Sequence, residues 1–448
     1  MSKTDLRENK ARPAVAKAGG WYRWVICGLI FAATSLLYVD RLTLGYLKGS
    51  LQDQYKWTDA DYAGVVQWFM FAYAIGFLVF GQLIDKFGAK RGYMIAVAVW
   101  TAAHLACAVV GLLPASWVLI SFTISYTMLG LGQGGNFTAA LKTVAEWFPQ
   151  RERSLAIGIF NAGTNLGAIL TPLIVPFVLI YYGWQWAIVS TAGLSILWLV
   201  FWLPFYSKPA ESKFVKKAEL AYIESDPFVP VRQLPWLTVL FKKETWAYGL
   251  GKLLTDPVWF FYSFWLPDYF MKTFKDQISN IAGTALPIII IFLVSDVGSV
   301  FGGWMSSAMI EAGLTVNKAR KFSMLICAAL VLPMAAFINL THNMWAWVAI
   351  IGVAAAAHQA FSANLMTLTS DLLPKSAVGR CAGIGGTMGA IGGIFMARGV
   401  GTALTSHGGY TIIFVVAGVI YLVALLVIHL ISPRLKPANF EPKKKKAA

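Results

Sequence analysis

Twelve stretches of this 448-residue chain are each long and apolar enough to cross a bilayer. Their approximate limits are 21–46, 59–84, 92–113, 115–143, 152–181, 184–206, 245–271, 280–310, 320–340, 344–371, 377–404 and 409–431. A helix rises about 1.5 Å per residue, so about 20 residues cover the ~30 Å hydrocarbon layer. Several of these runs are longer and are expected to tilt. Charged residues make up 13% of the chain, against about 25% in a soluble domain. The sequence therefore predicts an integral membrane protein whose length is counted in spans.

The formal net charge of +16 does not point to nucleic acid. The basic residues fall mostly in short loops and tails, the pattern that sets orientation in a membrane. Lys86, Lys90 and Arg91 follow span 2, and Arg151 and Arg153 follow span 4. Lys318, Arg320 and Lys321 follow span 8, and Lys375 and Arg380 follow span 10. The C-terminal tail adds Arg434, Lys436 and Lys443 to Lys446. All of these lie on one side if both termini are cytoplasmic. Loops 111–116, 181–184, 340–344 and 405–409, on the other side, are short or weakly charged. Loop 1–2 is mixed, with Lys48, Asp53, Lys56, Asp59 and Asp61. Cys27, Cys107, Cys327 and Cys381 lie in or beside apolar runs, which argues against a disulfide framework or a metal site. The polar, basic start of the chain does not read as a cleavable signal peptide.

A polar stretch at 207–244 divides the spans six and six. The expected organisation is a basic tail 1–20, a six-helix bundle 21–206, a cytoplasmic linker 207–244, a second six-helix bundle 245–432 and a basic tail 433–448. A weak repeat crosses the break. Glu146-Trp147-Phe148-Pro149 leads to Gly158, and Asp371-Leu372-Leu373-Pro374 leads to Gly383, nine residues after the proline in both. Two parallel repeats of this kind are common in transporters.

Within the first span stands Leu37-Tyr38-Val39-Asp40-Arg41. A charged side chain at a bilayer centre costs several kcal/mol, roughly 2.5–3.5 on insertion scales. Either Asp40 and Arg41 mark the solvated outer end of the helix, or they line a polar cavity between helices, one handling a proton and the other an anion. Adjacent helical residues do not face each other, so the two are expected to point to different neighbours.

Gly81-Gln82-Leu83-Ile84-Asp85-Lys86-Phe87-Gly88-Ala89-Lys90-Arg91-Gly92 resembles the signature loop between spans 2 and 3 of the major facilitator superfamily. Gly81 suits close helix contact, Gly88 a turn, Asp85 a hydrogen-bond acceptor and Arg91 a cytoplasmic anchor; together they read as gating residues. Trp147 to Ser154, Phe160 to Gly167 and Tyr38 to Arg41 resemble the anion:cation symporter branch of that superfamily. Ala357 to Ser362 with Thr369-Ser370-Asp371, and Ser295-Asp296-Val297-Gly298 with Gly302-Gly303, resemble its hexuronate transporters. The resemblance covers nearly the whole chain. It implies proton-coupled uptake of a sugar acid, a hexuronate or an aldonate, with protons as coupling ion and no cofactor. It also implies a monomer in a bacterial inner membrane, built as two six-helix bundles.

On that resemblance Asp40 matches the proton-titrating aspartate of span 1, Arg41 its substrate-engaging neighbour and Tyr73 the substrate-binding tyrosine of span 2. Lys252 stands where relatives place Gln or Arg. With Asp256 one turn on, it forms either a substrate site or a structural ion pair. The branch usually carries an arginine in span 4 and, seven residues later, a protonatable glutamate; here these are Tyr126 and Gln133. Glutamine binds a hydroxyl but carries no proton, so coupling is expected to rest on Asp40 with Asp296 or Asp256, or to be weakened.

Asp296 lies in mid-span 8, where burial disfavours charge and suits a proton carrier; packing against span 10 is the alternative. His358 and Gln359 are central in span 10, for hydroxyl recognition beside Asn364 or for core packing. Asn161 and Asn165 stand one turn apart in span 5, for substrate or for helix association. Trp68, Trp259 and Phe264 offer ring faces. His104 has no evident partner and reads as structural. Arg398 is expected to snorkel. Glycines 383, 385, 386, 389, 392 and 393 give span 11 a thin side. The expected activity is secondary transport by alternating access, with a proton-independent carrier or exchanger of another carboxylate as the alternative. An enzyme is not expected: the sequence offers no nucleophile–base pair, metal cluster or phosphate loop.

Overall fold

The computed structural model describes residues 20–225, 235–336, 343–373, 375–405, 409–436 and 438. Among these residues it contains helices and no strand. The long helices are α1 (Tyr22–Tyr55), α2 (Asp59–Ile84), α3 (Lys86–Leu112), α4 (Ala115–Trp147), α5 (Gln150–Tyr182) and α6 (Trp184–Phe205). They continue as α7 (Lys243–Thr273), α8 (Ala285–Glu311), α9 (Val316–Ala336), α10 (Met344–Leu372), α11 (Lys375–Thr405) and α12 (Gly409–Ile431). Between α6 and α7 lie two short helices, Lys217–Ile223 and Trp236–Leu240.

Ten of the twelve are apolar enough to read as spans from composition. The other two, α7 and α11, are each 31 residues long but carry charge or glycine. α7 tolerates Lys252, Asp256, Asp268 and Lys272 because protein surrounds it; nearly all its residues from Val258 to Phe270 are buried. α1 also differs from expectation. It continues past residue 46 to Tyr55, so Lys48 belongs to the helix and not to a loop.

Local chemistry explains the boundaries. Thr58 and Asp61 form a reciprocal capping box that starts α2. The chain turns at Gly88, where φ is 79° and ψ is 167°; only glycine adopts this conformation without strain. Gly81 is not needed for close contact, since a Cβ there would meet Thr138 at an ordinary 3.9 Å.

α1 to α6 pack mainly on one another, as do α7 to α12. The two halves meet through α1 with α7, α2 with α11 and α5 with α8. Each contact pairs first with first or exchanges second for fifth, the relation expected of two parallel repeats. The α2–α11 seam is close because α11 presents glycine. A Cβ on Gly393 would press into Met70 of α2, and one on Gly389 would overlap the Asp256 carboxylate of α7.

Candidate functional site

Asp40 and Arg41 are both buried, at 0% and 1% exposure. The solvated-end reading of these residues is therefore corrected: α1 extends four turns beyond them. As neighbours on a helix they diverge. Asp40 turns into the first half, away from the seam with the second. Its Oδ2 accepts from Ser195 Oγ of α6 at 2.9 Å, and its Oδ1 stands 3.6 Å from His104 Nε2 of α3.

Arg41 points the other way. Its Nε donates to Gln133 Oε1 at 3.0 Å, and Gln133 Nε2 donates to the Leu37 carbonyl at 3.1 Å. Tyr126 donates its hydroxyl to the Arg41 carbonyl at 3.0 Å. The guanidinium lies 4.4 Å from the ring centre of Tyr73, 5.2 Å from Tyr38 and 5.4 Å from Phe69. Such ring faces stabilise a desolvated cation. Arg41 Nη2 is a buried donor with no hydrogen-bond partner. The structure thus gathers Arg41, Tyr73, Tyr126 and Gln133, and the two residues that depart from the symporter pattern are the two that hold Arg41 in place.

A second cluster faces it from α7 and α10. Lys252 pairs with Asp256 at 2.8 Å. Trp259 stacks on the His358 imidazole, 5.2 Å between centroids and 11° from parallel. His358 Nδ1 is 2.6 Å from the Tyr421 hydroxyl of α12. Tyr38 lies beside the Arg41 guanidinium, on the side of the first cluster that faces Trp259 and Asp256. Tyr421 was not singled out from sequence, and Tyr38 stood out only as part of the Tyr38 to Arg41 motif, without a role of its own.

Other expected residues lie apart. Asp296 is half-buried on α8, beside exposed Val297 and Val300, and its Oδ1 has no hydrogen-bond partner. Asn161 is exposed, and Asn165 Oδ1 accepts from Thr164 at 3.2 Å. Asn364 binds backbone, donating to the Gly302 and Ala360 carbonyls. Gln359 is half-buried, Arg398 and Arg91 are exposed, and Trp68 is 53% exposed. Phe264 is fully buried against Phe69 and Trp265. The Asp85, Arg151, Arg153 and Lys375 side chains, residues 1–19, Pro374 and Lys443 to Lys446 lie outside the described residues.

His104 is a correction: it has partners. Its Nε2 lies 3.0 Å from Thr191 Oγ1, besides its approach to Asp40. Sequence spacing gave no signal, because α3 and α6 are far apart along the chain.

At the end remote from the termini, ion pairs join the halves. Lys48, at 0% exposure, is 2.6 Å from both Asp59 of α2 and Asp268 of α7. Lys272 lies 3.2 Å from Asp268 and 3.4 Å from Asp59. Tyr410 of α12 donates to Asp268, and Tyr62 donates to the Phe264 carbonyl at 2.7 Å. Near the termini, by contrast, the described ion pairs do not cross between the halves. Arg23 pairs with Glu152 and Glu219, and Arg320 with Asp371.

Twelve helices in two contacting halves, with buried charge at their seam, define a multi-pass membrane transporter. The family profile of the Major Facilitator Superfamily matches residues 30–397 and 312–448. The chain belongs to that superfamily. It is 28% identical to the hexuronate transporter of Escherichia coli (strain K12), covering 93% of this chain and 95% of that one. It is 27% identical to the D-galactonate transporter of Escherichia coli O6:H1, covering 96% and 98%. The solved D-xylose-proton symporter superposes with a TM-score of 0.71 at 15% identity, over 93% of this chain and 99% of that one. The family is one of transporters rather than enzymes, and the protein is placed in the inner membrane.

Proposed function

We propose that this protein imports a sugar acid, a hexuronate or an aldonate, together with protons, by alternating access. The observation that carries the reading is Arg41. It is a guanidinium fixed by Gln133, faced by Tyr73 and left with an unpaired buried donor, Nη2. A carboxylate completes such a group with charge-assisted hydrogen bonds. Lys252, Trp259 and Gln359 on the opposite half supply a second cation, a ring face and an amide for sugar hydroxyls. The names of the hexuronate and galactonate relatives support the substrate class.

Asp40 serves as the proton site. It is a carboxyl group wholly inside the protein, where a fixed charge is expensive, and it is separate from the anion site. Neutralising it lets α1 and α6 move without dragging an uncompensated charge. The Lys48–Asp268 pair acts as the latch of the end remote from the termini, which is the periplasmic end if both termini are cytoplasmic.

Uptake of labelled D-glucuronate and D-galacturonate into proteoliposomes, with and without an inward proton gradient, tests this reading. Accumulation above the outside concentration is expected only with the gradient. Uptake that equilibrates without regard to the gradient makes the protein a proton-independent carrier, and absence of uptake removes both sugar acids.

A further inference from the structure

The first half holds a titratable group that the transport reading does not use. His104 of α3 is buried at 2% exposure. Its ring can be assigned a tautomer from its neighbours. The Thr191 hydroxyl donates its single proton to the Ile188 carbonyl at 3.1 Å. Thr191 Oγ1 therefore accepts from His104, and the imidazole carries its proton on Nε2. The same nitrogen stands 3.6 Å from Asp40 Oδ1. Two buried polar atoms remain without hydrogen-bond partners at this spot: Asp40 Oδ1 and His104 Nδ1.

The other groups around the imidazole are few. α1 contributes Asp40, α3 itself Cys107 and α4 Tyr126, while α6 contributes only the hydroxyls of Thr191 and Ser195. Arg41, the nearest permanent cation along α1, is turned toward Gln133 and Tyr73. His104 also borders a narrow void with Thr43, Leu47, Cys107 and Tyr126. Thr43 and Leu47 lie farther along α1 than Asp40, toward the end remote from the termini.

We propose that His104 relays the coupling proton to Asp40. This rests on the reading of Asp40 as the proton site. A proton arriving from that remote side bonds to His104 Nδ1, the free lone pair. The Nε2 proton then passes to Asp40 Oδ1. One N–H bond forms and one breaks, one O–H bond forms, and the imidazole ends neutral with its proton on Nδ1. The new Asp40 hydroxyl donates to Nε2. The Asp40 proton then leaves toward the end nearer the termini, and the ring regains its starting tautomer by losing the Nδ1 proton and taking one at Nε2. The relay accounts for Gln133: with no protonatable group at that position of α4, the second titratable member of the coupling site stands on α3.

The test is His104→Gln in proteoliposomes. Its carboxamide keeps an N–H donor for Thr191 and Asp40 but transfers no proton. Labelled D-glucuronate is followed in two assays: accumulation under an inward proton gradient, and counterflow exchange at equal pH. The relay predicts counterflow within about twofold of wild type and a gradient-driven rate at least about tenfold lower. His104→Leu, which also lacks the donor, loses both. Equal gradient-driven accumulation by wild type and His104→Gln overturns the relay. So does a parallel loss of both activities in His104→Gln, which assigns the ring to packing. If wild type itself shows counterflow but no gradient-driven accumulation, the symport reading fails first, and this is read from wild type alone.

Discussion

Gln133 and Arg41 form a two-point clamp: the amide oxygen accepts from Nε while the amide nitrogen holds the Leu37 carbonyl one turn back on the same helix. A neutral acceptor fixes the guanidinium without cancelling its charge. Gln133→Glu would place a carboxylate there and compete with the substrate anion. Affinity for D-glucuronate is expected to fall about tenfold at neutral pH, the scale of one charge-assisted hydrogen bond of about 1.5–3 kcal/mol. It should recover as the pH is lowered and the new carboxyl takes a proton. Binding measured by calorimetry across pH checks both the loss and its sign.

Arg41→Lys keeps the charge and loses the planar fork. An ammonium cannot bind Gln133 through Nε and offer a second nitrogen to a carboxylate at once. Uptake is expected to fall by about 10- to 100-fold, mostly through KM, and Arg41→Ala should abolish it. A lysine variant with wild-type KM would remove Arg41 from the anion site.

Asp40→Asn mimics the protonated carboxyl while retaining an acceptor for Ser195. Gradient-driven accumulation should disappear, whereas exchange of internal for external substrate persists. Continued accumulation under a pH gradient would place the coupling proton elsewhere, Asp296 being the next residue to test.

Lys48→Met removes the cation shared by Asp59 and Asp268 and leaves both acids to Lys272 alone. Breaking a buried pair from one side costs about 3–5 kcal/mol, which is enough to favour the open arrangement at this end. A cysteine introduced at Gly401, which packs against Ala63, should then react with a polar maleimide severalfold faster than in the Lys48 background.

Gly389→Ala sets a methyl group against the Asp256 carboxylate. Overpacking of this kind costs roughly 1–3 kcal/mol. A lowered Tm is expected, together with weaker substrate binding as Asp256 is pushed against Lys252. Unchanged values for both would mean that α11 gives way at this point.

Much of the fold was legible because lipid imposes length and apolarity on every span. The spans that hydropathy describes least well, α7 and α11, are those that face protein: charge and glycine are affordable there because neighbouring side chains replace lipid. The pairing of Arg41 with Gln133 and Tyr126 was half visible, since both span 4 positions stood out as departures from the symporter pattern. What the departures did there was not visible, because a hydrogen bond across helices leaves no spacing in the chain. The partners of His104 were invisible for the same reason, lying on α1 and α6. Lys48 was placed in a loop because a lone lysine near a helix end ordinarily seeks water, and here Asp59 and Asp268 take the place of water.

Arg41, Gly45 and Lys48 lie at intervals of four and three residues, on one stripe of a continuous helix. Gly45 is a point of close approach, where a Cβ would come to 3.2 Å from the Ser263 and Phe264 carbonyls of α7. α1 therefore carries the guanidinium and the ammonium on one continuous rod, about 10 Å apart along the axis. On the proposed reading, the anion site and the latch ride on the same helix, so neither end can shift without carrying the other with it.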